Sequence, residues 1–183
     1  MTNYSTLVQK CTEGDVRSQR QFYELLKGKV MGICYRYSKT TEDANDIFQD
    51  TMVKVFNNMG EALVVDSVIA WVVRITVNTA IDHTRKRRPK PFIEVDHSDT
   101  VEMTDKEASV IEKMETTEIL AFLKQLPESQ MHVFNLYMIE GYSHREIGMK
   151  LGIAESSSRV LLSRAKQHLI QLLSTRQVYE RIG

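Results

Sequence analysis

Apolar positions recur at helical spacing along most of the chain. Between residues 5 and 38, Leu7, Val8 and Cys11 form one set, and Phe22, Leu25, Leu26, Val30, Ile33, Cys34 and Tyr37 form a second. Their spacing predicts two helices parted near Gly14-Asp15, packed into the core of a helical bundle. The next helix has Thr40 or Thr41 as its cap and Glu42 and Asp43 in its first turn, where the helix dipole favours anions, and it extends to about Phe56. At about 100° per residue, Ala44, Ile47, Phe48, Thr51, Met52, Val55 and Phe56 fall on one arc, and Asp43, Asp46, Asp50 and Lys54 on the other. A solvated face usually mixes its charges for i,i+4 pairing. Here three aspartates precede a single lysine, so this face is either plain surface or an acidic docking stripe for a basic partner.

Residues 57–66 read as a loop with Gly60 as its flexible point, followed by a long helix from about Val68 that stops before Pro89. Its first two thirds are apolar nearly all round, which predicts burial. The exceptions are Arg74, Asn78, Asp82 and Arg85, whose spacing puts them on one strip, and the helix ends in Arg85-Lys86-Arg87-Arg88. Cations at a helix C-terminus are favoured by the dipole alone, but four in succession exceed what capping requires. Such a run can hold phosphates, and the Arg and Asn strip beside it carries donors able to reach bases.

In the second half, Pro127-Glu128-Ser129 interrupts residues 117–139 and opens a new helix, with Leu120, Leu123 and Leu126 before it and Val133, Phe134, Tyr137 and Met138 after it as core positions. Glu140-Gly141-Tyr142 turns the chain. Residues 143–168 then have the pattern of a helix-turn-helix. Ser143 and Glu146 form a capping box, Ile147 and Leu151 face inward, and Gly152 supplies the tight turn that Ile153 plugs. On the second helix Val160 and Leu161 or Leu162 pack back. Ser156, Ser157, Ser158, Arg159, Ser163, Arg164 and Lys166 remain for solvent or DNA, the serines allowing close approach of a phosphate to the helix N-terminus. An isolated helical hairpin is the plainer alternative.

Composition adjusts this picture in one respect. The 183 residues hold 24 basic and 24 acidic side chains, a balance that argues against a nucleic-acid partner. Its distribution reverses that inference. Residues 1–90 hold 14 Lys+Arg against 10 Asp+Glu, residues 91–119 hold 2 against 9, and residues 120–183 hold 8 against 5. Two basic regions are thus joined by an acidic segment, either a solvated tether or a strand that mimics nucleic acid in a basic channel. Cys11 and Cys34 make no CxxC pair, and no signal-peptide core or membrane-length apolar run occurs, so buried thiols and a cytoplasmic protein without membrane insertion are expected. No nucleophile–base pair, phosphate-binding loop or metal cluster is legible. The five histidines are dispersed, and neither catalysis nor a cofactor is expected.

On these residues the chain resembles the extracytoplasmic-function class of bacterial sigma factors, in the sigma-70 family. DANDIFQDTMVKVF looks like region 2.2, which implies that Asp43, Asp46, Phe48, Gln49, Asp50 and Lys54 bind the clamp helices of the core RNA polymerase β′ subunit. WVVRITVNTAIDHTRKRR looks like the end of region 2.3 plus region 2.4, which implies minus-10 promoter contacts by Arg74, Asn78, Asp82, Arg85, Lys86, Arg87 and Arg88. LKQLPESQMHVFNLYMIEGYSHREIGMKLGIAESSSRVLLSRAKQHL looks like region 4, which implies docking on the β flap and minus-35 contacts by the serines and cations of its second helix. The family often opens that helix with Gly-Thr-Val-Lys-Ser-Arg, whereas here it reads Ser156-Ser157-Ser158-Arg159-Val160-Leu161. Asp50 stands where glutamate is commoner. The resemblance implies an all-α chain with region 2 over 1–90, an acidic linker over 91–115 and region 4 over 116–183. Its partners would be core polymerase, promoter DNA and an anti-sigma factor. The rival readings are a helix-turn-helix regulator acting without polymerase, and a sigma-like decoy that titrates an anti-sigma factor.

Overall fold

The computed structural model describes residues 4–87 and 116–182, and the chain divides into two compact units, Met1–Arg87 and Arg88–Gly183. Among the described residues every regular element is helical. The segment expected as an acidic linker lies outside them.

The first unit packs α1 (Tyr4–Thr12), α2 (Val16–Tyr37), α3 (Thr41–Asn57) and α4 (Val68–Arg87) around one core, with a 3₁₀ turn at Met59–Leu63 inside the expected loop. Each junction is marked locally. Gly14 takes φ +86°, and Asp15 caps α2 by accepting from the Ser18 amide at 3.0 Å. Thr40 caps α3 by accepting from the Asp43 amide at 3.1 Å, and Ser67 accepts from the Ala70 amide at 3.2 Å at the start of α4. Phe22, Leu26, Val30, Ile33, Ile47, Val55, Trp71, Val77 and Ile81 are buried, each large side chain contributing roughly 1.5–3 kcal/mol of burial. The Trp71 indole N–H donates to Glu61 at 3.3 Å and ties the 3₁₀ turn to α4. Leu25, expected in the core, is 43% exposed, because at helical spacing it falls outside the arc shared by Phe22, Leu26, Ile33 and Tyr37.

The second unit consists of α5 (Thr116–Leu123), α6 (Glu128–Phe134), a π-helical segment (Asn135–Ile139), α7 (His144–Leu151) and α8 (Glu155–Ile182). The long α8 is its spine, packed by α6 and α7. Tyr137 and Met138 were expected inside, but they are 38% and 39% exposed. The Glu140 amide donates to the Asn135 carbonyl at 3.0 Å, a reach of five residues. That wider turn shifts the register, so Leu136 takes the core place and the next three residues turn outward.

Candidate nucleic-acid interface

The helix-turn-helix is assembled by its caps. The Ser143 hydroxyl accepts from the Glu146 amide at 3.3 Å, and the Glu146 carboxylate accepts from the Ser143 amide at 2.8 Å and from its hydroxyl at 2.7 Å. These bonds hold the Glu146 carboxyl below its usual pKa range. Gly152 ends α7 in the left-handed region at φ +69°, where a Cβ would be strained. Gly148 is fixed by proximity instead, since a Cβ there would meet the Ile153 carbonyl oxygen at 2.8 Å.

On α8, Ser156 and Arg159 are exposed, while Ser163, Arg164 and Lys166 are half-buried. Ser156, Arg159, Ser163 and Lys166 follow the 3-4-3 spacing of one helix face, and Arg159 is laid along the helix by an ion pair with Glu155. Ser157 and Ser158 do not belong to this face. They are 7% and 0% exposed and lie on the arc of Leu161, Ala165 and Leu169, so their assignment to DNA contact is corrected to packing. Val160, Leu161 and Leu162 are all buried. These three positions are therefore core residues and not DNA contacts.

Ser158 has a definite inward partner, because its hydroxyl lies 2.9 Å from His144 Nδ1. The His144 ring stacks on Tyr137, with centroids 4.5 Å apart and planes at 21°. Burial, then the Arg159 charge, lowers the His144 pKa, with Lys166 adding to the effect and Glu155 opposing it. The sequence did not reveal this strut, because its members are 14 residues apart across a turn and only the packing of α7 on α8 joins them.

In the first unit, α3 and α4 present adjoining surfaces. Asp46, Gln49 and Asp50 are exposed on α3 and Asp43 is half-buried, with Val53 59% exposed among them. Phe48 was expected to bind polymerase but is 7% exposed and packs edge-on against Tyr23 at 5.9 Å, so it supports this face from beneath. Lys54 also departs from the face. Its ammonium donates to Thr79 Oγ1 at 3.1 Å and lies 3.8 Å from Asp82 Oδ2, both on α4. On α4 itself Arg74, Asn78, Asp82, Arg85 and Lys86 are exposed as a strip. The Arg87 side chain and Arg88 lie outside the described residues.

Cys11 and Cys34 are free and buried, and desolvation pushes the Cys34 thiol up to about 12, which keeps it protonated. No group of His, Cys, Asp and Glu among the described residues could hold a metal, and no helix among them is long and apolar enough to cross a membrane.

The family model for Sigma-70 region 2 matches residues 22–90, and that for Sigma-70, region 4 matches residues 116–169. The ECF RNA polymerase sigma factor SigM of Mycobacterium tuberculosis is 30% identical over 86% of this chain and 87% of its own length. The RNA polymerase sigma-H factor of Pseudomonas aeruginosa is 25% identical over 91% and 92%. A solved structure of the sigma factor RpoE in complex with the anti-sigma factor NepR, from Bartonella quintana, shares the fold at a TM-score of 0.51. It is 21% identical and covers 87% of this chain and 98% of that one.

Proposed function

We propose that this chain, which belongs to the extracytoplasmic-function class of the sigma-70 family, acts as a cytoplasmic promoter-specificity subunit and carries no catalytic activity of its own. It binds core RNA polymerase and directs it to promoters through minus-10 and minus-35 recognition. In this reading region 2 spans 1–90, the linker 91–115 and region 4 116–183. Asp43, Asp46, Gln49 and Asp50 form the docking face for the β′ clamp helices, with Val53 as its apolar centre. Arg74, Asn78, Asp82 and Arg85 through Arg88 meet the minus-10 element, and Ser156, Arg159, Ser163, Arg164 and Lys166 the minus-35 element. The second unit also docks on the β flap, and an anti-sigma factor is a further partner.

The observation that carries this reading is the placement of an acidic face on α3 beside a basic strip on α4, on packed helices of one bundle. A regulator that binds duplex DNA without polymerase has no use for the acidic face, and a decoy has none for the cationic one. In-vitro transcription with core enzyme on genomic DNA is the test. Discrete start sites that appear only when the protein is added are expected, and their absence would exclude a sigma factor.

A further inference from the structure

Lys54 lies at the seam where α3 meets α4. From α3 its side chain crosses to α4, where Nζ donates to Thr79 Oγ1 at 3.1 Å and lies 3.8 Å from Asp82 Oδ2. Thr79 is buried, so it anchors the ammonium without being an outward contact. The Lys54 and Asp82 side chains are 46% and 52% exposed. An ion pair this open and this long adds little to stability, so holding the two helices together does not account for it. An ammonium has three donors, and Thr79 engages one of them. Asp82 Oδ2, at 3.8 Å, is an ion-pair partner beyond hydrogen-bond reach, so donors remain for an acceptor on the solvent side.

The neighbours indicate which acceptor. Asp82 is the only acidic residue of α4, and it sits between Asn78 and the exposed Arg85 and Lys86. An exposed carboxylate within a strip that meets a polyanion repels phosphate unless a cation accompanies it. Lys54 supplies that cation. Lys86, one turn beyond Asp82, continues the same flank.

Resting on the reading of α4 as the minus-10 surface, we propose that Lys54 is a DNA-backbone contact which α3 contributes to the promoter face, and not part of the polymerase-docking face. It offsets Asp82 and offers a free donor to a phosphate oxygen beside the strip.

The test uses the reconstituted holoenzyme on a promoter fragment taken from the transcription mapping, with affinity measured between about 50 and 200 mM salt. Lys54→Gln keeps a stem and a donor for Thr79 while removing the charge. It is expected to lower promoter affinity and to reduce the slope of log K against log salt by about one, with affinity for core polymerase unchanged. Lys54→Arg is expected to restore the slope. A Lys54→Gln holoenzyme with unchanged slope overturns the assignment, as does loss of core affinity at constant slope, which would return Lys54 to the docking face. A wild-type holoenzyme without salt-dependent promoter binding removes both this assignment and the reading beneath it.

Discussion

His144 is where one side chain links three elements: it caps nothing itself, yet it joins the π-helical segment through Tyr137 and α8 through Ser158. Its folded pKa lies below the ordinary value of 6.5, chiefly through burial. The unfolded chain therefore binds the extra proton first as pH falls. Stability from the neutral ring is fully present above about pH 6.5 and is lost as pH drops below it. Thermal unfolding followed between about pH 7.5 and 5 should show this acid-side loss in the wild type and a shallower one in His144→Gln. A parallel decline in both would place the titration elsewhere. Ser143 and Glu146, adjacent to this strut, were legible in the sequence because a capping box is written within four residues. The contact of Ser158 with His144 was not, since its two members stand on different helices and meet only through the packing of α7 on α8.

At the scale of elements, turn chemistry and packing chemistry separate. Gly152 was readable as a turn glycine, whereas Gly148 lies within a helix and is required only because α7 meets the Ile153 carbonyl. Gly148→Val should destabilise the chain by about 1–3 kcal/mol in urea unfolding, since the obstacle is backbone and cannot rotate away. Val tolerated at wild-type stability would show that the turn yields. The acidic helix α3 makes its own prediction. Reversal of Asp46 and Asp50 to lysine leaves the buried arc of Ile47, Thr51 and Val55 untouched and should lower core-polymerase affinity by tenfold or more, on the order of 1.4 kcal/mol. Retained core binding would withdraw the docking assignment. The π-helical segment had no herald in the sequence, and Tyr137 and Met138 were misplaced because a five-residue hydrogen-bond reach breaks the 3.6-residue period on which the expectation rested.

At the scale of the molecule, a net charge of zero conceals a basic first region, an acidic middle and a basic end. Promoter binding should nonetheless be strongly salt-dependent, because local cations and not the sum set the number of phosphates neutralised. Alanine at both Arg85 and Lys86 should reduce the slope of log K against log salt by about two, and an unaltered slope would remove both from the backbone contacts. The sequence by itself determined the helical class, the starts and stops of most helices, the helix-turn-helix and the alternation of charge. All of these are written in period, cap and composition within a few residues. Tertiary structure alone decided that Ser158 meets His144 and that Lys54 leaves its helix for Thr79 and Asp82, whereas the burial of Phe48 was already written in the apolar arc of its helix. Cross-helix bonding depends on which neighbour arrives from distant sequence, and helical periodicity fixes a residue's direction without fixing what stands there.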